Sequence, residues 1–218
     1  MAIIKKQSLV DQLYEELRNE IINLEYPLGE KLVASELEKK YQVSSTPVRE
    51  ALNRLQREGL VEYENNIGAK IISIEEKDVY EIQELAMTLH KAAVVFSMEK
   101  GDHKKIAEEV GRHIEEYERA KSPKERTMCV HRLIGVFYKY SGNRRLDMNM
   151  GILKGQQLIL RNLYNNAVGL TVSSAEYYKR MNQEILKGNT EGVIRALEED
   201  GDSAIPIILK EIKKETME

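Results

Sequence analysis

Apolar residues in the first third of the chain recur with two different periods. Val10, Leu13, Leu17, Ile21 and Leu24 are spaced by three and four, which predicts an amphipathic helix of about four turns. Tyr26-Pro27-Leu28-Gly29 ends it, because proline disfavours helix at the preceding residue and glycine supplies turn geometry. A short helix over about 32–41 follows, with Ala34, Leu37 and Tyr41 on one side. Gln42-Val43-Ser44 makes a tight corner, and a further helix opens at Ser45-Thr46-Pro47, where a hydroxyl can cap and proline suits the first turn. Its apolar face is Val48, Ala51, Leu52 and Leu55; its other faces hold Arg49, Asn53, Arg54, Gln56 and Arg57. After Gly59 the period falls to two, in Leu60-Val61-Glu62-Tyr63 and again from Ala69 to Ile74. The turn-rich run Glu64-Asn65-Asn66-Ile67-Gly68 between them predicts a hairpin.

From Glu76 onward the pattern is helical throughout. Helices are expected at about 76–99, 103–120, 123–140, 144–167, 173–187 and 190–214. The breaks between them are Gly101-Asp102, Ser122-Pro123, Ser141-Gly142-Asn143, Gly169 and Gly188-Asn189. No internal period marks a solenoid. The chain therefore divides near residue 75. Residues 1–75 have the element order of a winged helix-turn-helix with a small β-hairpin wing. Residues 76–218 are expected to form an antiparallel six-helix bundle, making a mostly α protein.

Composition narrows the class. The chain has 218 residues, 32% of them charged, and no run near the roughly 20 apolar residues that a bilayer span needs. Met1-Ala2-Ile3-Ile4-Lys5-Lys6 carries no apolar core with a cleavage site, so no secretory signal is expected. The single cysteine, Cys129, excludes an internal disulfide and a cysteine-rich zinc site, and fits a reducing cytoplasm. A net charge of −3 gives no whole-molecule attraction for nucleic acid. The segment 39–57 differs: Lys39, Lys40, Arg49, Arg54 and Arg57 stand against Glu50 alone. A cationic helix on an otherwise near-neutral domain is what docking into a DNA groove requires.

The run Val43-Ser44-Ser45-Thr46-Pro47-Val48-Arg49-Glu50-Ala51-Leu52, followed by Leu55, Glu58-Gly59-Leu60-Val61 and Gly68, resembles the DNA-binding domain of the GntR family of bacterial transcription regulators. The likeness covers about residues 8–75 and is strongest to the FadR-like branch, whose all-helical effector domain (FCD type) residues 76–218 resemble in length and helix order. The resemblance implies a homodimeric, ligand-responsive regulator, expected to be a repressor, that binds an operator in double-stranded DNA. It implies contacts from Ser44, Thr46, Arg49 and the wing glycine Gly68; Ser45, Asn53, Arg54 and Lys70 complete the candidate set. Ser45 stands where the family usually has a guanine-reading arginine. A short hydroxyl cannot take guanine's O6 and N7 together, so a different operator is expected.

The same resemblance implies a divalent metal in the helical domain, held by an Asp and a His four residues apart and by two later histidines. Counting from Asn143 and Gly188 places those positions at Val130, Ile134, Tyr178 and Asp200. The metal is therefore expected to be lost and no cofactor is expected. Within the class, an altered metal site built from His90, His131 and Asp200 is the alternative. Gln83 and Met87 stand where the family commonly has arginine and glutamate. The interior reads as apolar, with Leu85, Leu89, Phe137, Met148, Leu158 and Met181 joining Met87, Val130, Ile134 and Tyr178. The candidate effector pocket is Met87, His90, Val130, His131, Ile134, Tyr178 and Asp200, and its ligand should be more apolar than a small carboxylate. Interior histidines are more often hydrogen-bonded core than metal ligands. No phosphate loop, His-Glu-x-x-His or nucleophile elbow is present, so no catalysis is expected. Cys129 should simply pack, and Gly151-x-x-x-Gly155 should allow close helix packing. A rival of another class is a helical small-molecule-binding protein or enzyme whose first domain contacts other proteins.

Overall fold

Ser8 and Asp11 start the first helix by capping each other. In the computed structural model, which describes residues 8–64 and 68–215, the Ser8 hydroxyl accepts from the Asp11 backbone N–H at 3.1 Å. The Asp11 carboxylate accepts in turn from the Ser8 N–H at 3.2 Å. Contacts divide the chain into two units, Met1–Ile74 and Glu75–Glu218.

In the first unit, α1 (Leu9–Ile22) buries Leu13, Leu17 and Ile21 against α3 (Ser45–Arg57), whose own buried face is Val48, Ala51, Leu52 and Leu55. Polar contacts close the same seam. The Arg18 guanidinium grips the Glu58 carboxylate, with Nε at 2.8 and 2.9 Å, and the Tyr14 hydroxyl donates to Glu58 at 2.8 Å. Burial and that carboxylate push the Tyr14 phenol up to about 12. The short helix α2 (Ala34–Tyr41) ends with Gln42 in the left-handed region (φ 54°), which makes the corner.

The wing is an antiparallel pair, β1 (Val61–Glu64) and β2 (Gly68–Ile71), with Val61 opposite Ile71 and Glu64 opposite Gly68. The second strand ends at Ile71 rather than Ile74, although one further bond in the same register runs from the Ile72 N–H to the Leu60 carbonyl at 3.1 Å. Leu32 does not open the short helix as expected. Its N–H donates to the Ala69 carbonyl at 2.8 Å, and the Ile71 N–H donates to the Glu30 carbonyl at 2.9 Å. The approach to α2 is thereby tied to the wing. Asn65, Asn66 and Ile67 of the expected turn, like Met1–Lys6, lie outside the described residues.

The second unit contains α4 (Glu76–Lys100), α5 (His103–Arg119), α6 (Pro123–Ser141), α7 (Arg144–Val168), α8 (Ala175–Leu186) and α9 (Thr190–Glu215). α4 packs on α6, α7 and α9, while α5 packs on α6 and α8. The breaks carry the punctuation that local chemistry demands. Asp102 caps α5, Ser122 and Pro123 open α6, and Asn143 caps α7 after Gly142 turns left-handed at φ 60°. Leu85 and Met148 were expected inside, yet they are 51% and 58% exposed. At Gly151 an added Cβ would meet nothing within 4 Å, so close helix packing is not what that glycine serves. Cys129 is buried, with an Arg132 N–H 3.3 Å from its sulfur.

Arg126 organises the bend between α7 and α8. It is buried, lies over the Tyr117 ring at 5.0 Å, and donates to the carbonyls of Gly169 (3.3 Å), Leu170 (3.3 Å) and Val172 (2.6 Å). A planar fork can serve several carbonyls at once, whereas an ammonium is a point donor. Arg126→Ala should cost about 2–4 kcal/mol in urea unfolding, and Arg126→Lys should recover less than half of that. Equal stability of all three proteins would show that the bend holds itself.

Candidate functional site

Burying one face of α3 turns the other outward. Thr46, Arg49, Asn53 and Arg57 fall opposite the Val48/Ala51/Leu52/Leu55 face and are exposed. Ser44 occupies the N-cap position, but its side chain makes no cap bond and is exposed, so the expected hydroxyl cap is not formed. Ser45 is half-buried at the first turn. Arg49 is exposed and pairs with no acid among the described residues. Gly68 is exposed at φ 98°, and a Cβ there would meet nothing within 4 Å.

Two of the candidate cations are engaged elsewhere. Arg54 donates to Asp11 at 2.6 Å and to Glu50 at 2.9 Å. Lys70 sits between Glu62 and Glu64, at 3.2 and 2.9 Å. Both are paired within the first unit rather than presented to solvent as unpaired charges. Asp11 is far away in sequence and Glu62 and Glu64 lie on the opposite strand, so local spacing could not reveal them, whereas Glu50, four residues before Arg54 on α3, is a partner that helical spacing does give.

The second unit encloses a cavity of about 420 Å³ between α4, α6, α7 and α9. That volume lies within the range of small-molecule sites. Met87, His90, Val130, His131, Ile134 and Asp200 all line it. Tyr178 does not. It is fully buried, stacks edge-on against Tyr117 at 5.3 Å, and donates its hydroxyl to Asp200 Oδ2 at 3.1 Å. Met148 reaches the cavity from its exposed position and, with exposed Asp147, forms part of the rim.

The polar wall was largely missed. Arg161, on α7, lines the cavity and donates to Asp200 Oδ2 at 2.8 Å; 18% of its side chain remains accessible. Burial works against its charge, but the Asp200 carboxylate outweighs that and holds the guanidinium protonated. Asp200 is 1% exposed, and its second oxygen, Oδ1, is buried with no hydrogen-bond partner among the described residues. Arg161 left a signal in sequence, as a lone cation inside Leu158-Ile159-Leu160-Arg161-Asn162-Leu163-Tyr164.

His90 is tied at both ring nitrogens. The Gln157 amide nitrogen lies 2.6 Å from Nε2, and the Tyr138 hydroxyl lies 2.9 Å from Nδ1. Burial, reinforced by the charges of Arg161 and His131, pushes its pKa down to about 3. A neutral ring accepts from Gln157 at Nε2, so Nδ1 carries the proton and the Tyr138 oxygen accepts it. The Tyr138 hydrogen is then left to point elsewhere, and Tyr138 is on the cavity wall.

These residues do not fit the divalent metal that the family resemblance implies. A guanidinium and a phenol already occupy one oxygen of Asp200, and both nitrogens of His90 are engaged. Among the described residues no three histidine, cysteine or carboxylate side chains converge on a common point. The alternative site built from His90, His131 and Asp200 fails on the same ground.

The hairpin, the corner and the outward face of α3 define a winged helix-turn-helix domain. Residues 9–71 match the family described as bacterial regulatory proteins, gntR family, and the N-terminal unit is a GntR-family helix-turn-helix domain. The chain is 31% identical over 109 residues to the helix-turn-helix-type transcriptional regulator YdhC of Bacillus subtilis, covering 50% of this chain and 48% of YdhC. It is 34% identical over 79 residues to the Nta operon transcriptional regulator of Aminobacter aminovorans, covering 36% and 38%. The chain thus spans about half or less of the length of these curated relatives. Among solved structures it resembles McbR/YncC of E. coli, with TM-score 0.76 and 19% identity over 93% of this chain and 98% of that one. A GntR transcriptional regulator from Rhodococcus sp. RHA1 gives TM-score 0.75 and 20% identity over 92% and 97%. These likenesses place the winged-helix-plus-helical fold among GntR-type structures. No helix among the described residues is long and apolar enough to cross a membrane.

The His90 geometry makes a pH prediction. The folded pKa lies below the ordinary 6.5, so protons bind the unfolded chain first. The stability that neutral His90 contributes is complete above pH 6.5 and is lost as pH falls toward 3. Between pH 6.5 and 4.5 the unfolding free energy should fall by about 1.4 kcal/mol per pH unit more in the native protein than in His90→Gln. Parallel slopes in denaturant titrations would mean that His90 is accessible to protons in the folded state.

Proposed function

We propose that this protein is a ligand-responsive transcription regulator that binds operator DNA as a homodimer in the cytoplasm and acts as a repressor. The observation that carries the reading is the outward face of α3. Within a GntR-family domain, Arg49 stands exposed and unpaired among the described residues, beside the short polar side chains of Thr46 and Asn53. Short side chains and an arginine at a helix N-terminal half suit base edges in a major groove. Ser44, Ser45, Thr46, Arg49 and Asn53 meet bases and phosphates, and Gly68 lets the wing approach the minor groove. Arg54 and Lys70 belong to the same set, exchanging their exposed acid partners for phosphates. The cavity of the helical unit receives the effector, whose binding favours a state that leaves DNA.

The reading includes a two-fold dimer, because paired winged domains match half-sites about one turn of DNA apart. The helical unit offers a surface for it. Leu85 and Ile152, on α4 and α7, are 51% and 64% exposed beside Leu89, Leu146 and Leu153. Exposed apolar residues gathered in one groove mark an interaction site more often than chance scatter does.

Arg49→Ala should weaken operator binding by about 1–3 kcal/mol in salt-dependent gel shifts while leaving the melting temperature unchanged. Ser45→Arg should turn the selected half-site toward guanine. Full affinity in Arg49→Ala, or binding that does not fall with salt, would remove the DNA-reading role from α3.

Ile152→Glu should convert the dimer to a monomer in sedimentation experiments and weaken DNA binding, with the fold intact because Ile152 is exposed. A dimer that persists would place the subunit interface elsewhere.

A further inference from the structure

We propose that the cavity takes an uncharged molecule with an apolar body and a carbonyl oxygen that accepts a hydrogen bond from the Arg161 guanidinium. This inference rests on reading the cavity as an effector site, and it identifies the chemistry of the occupant. Arg161 lies on the cavity wall with 18% of its side chain accessible. Its Nη2 donates to Asp200 at 2.8 Å, whereas Nε and Nη1 donate to nothing among the described residues. Neither nitrogen is shut off from water, in contrast to the unpartnered Nε of buried Arg126. A guanidinium offers donors only, so the complement of these open N–H groups is an acceptor.

The rest of the wall decides between a charged and an uncharged acceptor. Asp147, Lys154, Gln157 and Arg161 follow one another on α7 at spacings of seven, three and four, so they share one face of the helix, and all line the cavity. The two cations of this stripe are matched in number by Asp147 and by Asp200 from α9. A carboxylate bound at Arg161 would place a second negative charge beside Asp200. It would also give up an ion's hydration, a far costlier transfer than that of a neutral polar group. A carbonyl oxygen gains a charge-assisted hydrogen bond without adding charge. The facing helices contribute apolar surface, with Met87 from α4, Val130 and Ile134 from α6, and Leu197 from α9. One edge of the occupant is therefore polar and the rest of its body apolar.

Matched probes test the acceptor. The full chain is titrated with 4-phenylbutan-2-one and with 3-phenylpropanoate, read by thermal shift and calorimetry. The ketone should bind at least about tenfold more tightly, because only the carboxylate must shed an ion's hydration. The infrared carbonyl stretch of the bound ketone should lie below its frequency in hexane, which reads the hydrogen bond in the native protein. Arg161→Lys keeps a cation for Asp200 but withdraws the planar fork, so ketone affinity should fall about tenfold while the melting curve reports the fold. Equal or tighter binding of the carboxylate, a stretch as in hexane, undiminished ketone affinity in folded Arg161→Lys, or no binding by either probe would overturn the proposal. Gly135→Leu locates the event. Gly135 lies on the cavity wall, and a Cβ built there meets nothing within 4 Å, so a larger side chain fills the cavity without disturbing its wall. The variant should lose ketone binding, and undiminished affinity would show that the ketone binds elsewhere and overturn the proposal. Operator affinity is measured in parallel. A ketone that binds with the expected preference but leaves operator affinity unchanged would support this ligand class and refute the regulatory reading. A carboxylate that binds more tightly and shifts operator affinity would do the reverse.

Discussion

A carboxylate shut away from water must be met by donors, and the helical unit is arranged around one such group. Asp200 on α9 is reached by Arg161 from α7 and by Tyr178 from α8. Removing an ion from water costs several kcal/mol even after relaxation, so the pair persists only with good geometry and added hydrogen bonds. Both are present at Oδ2. The arrangement ties three helices at the cavity wall and fixes the position of the guanidinium, which cannot follow a mobile partner. It also explains why the wall is less oily than hydrophobic spacing suggests. The apolar residues supply most of the lining, and the ion pair sets where the wall is polar.

The first unit uses charge in the opposite way. Residues 1–74 hold ten basic and twelve acidic side chains, and many pair with one another. Asp11 and Glu50 hold Arg54, Glu58 holds Arg18, and Glu62 with Glu64 holds Lys70. Each pair at the surface is worth little alone, and together they leave the unit with little uncompensated positive charge. The outward face of α3 then depends on few charges and several short polar side chains. In the proposed operator complex, that balance favours contacts to base edges over general attraction to the DNA backbone.

Elements were legible because their periods and punctuation agree. The expected 103–120 and 123–140 helices fall within a residue of His103–Arg119 and Pro123–Ser141, where Asp102, Ser122 and Pro123 state the boundaries chemically. Leu32 misled because its apolar side chain fits a helix, while its backbone is needed by the wing, a long-range demand invisible to local spacing. Leu85 and Met148 misled for a related reason. Helical period identifies an apolar side but not whether a neighbour covers it, and here α4 and α7 leave these residues open. In the cavity, counting from Asn143 and Gly188 found Val130, Ile134 and Asp200 on the wall but also selected Tyr178, which supports the wall from behind. The hydrogen-bonded chain of Gln157, His90 and Tyr138 spans three helices and has no sequence signature.

The second oxygen of Asp200 shows what the arrangement costs. Among the described residues Oδ1 has no hydrogen-bond partner, and a buried acceptor without one costs about 1–3 kcal/mol. Both donors fall on Oδ2, so the carboxylate is held by one oxygen from α7 and α8, outside α9 itself. Movement of either helix alters how Arg161 and Tyr178 share Oδ2. In a regulator of the proposed kind, occupancy of the cavity shifts an equilibrium only if the ligand binds the two states differently. The Arg161 guanidinium, on the cavity wall and tied to α9, is where such a movement would be felt.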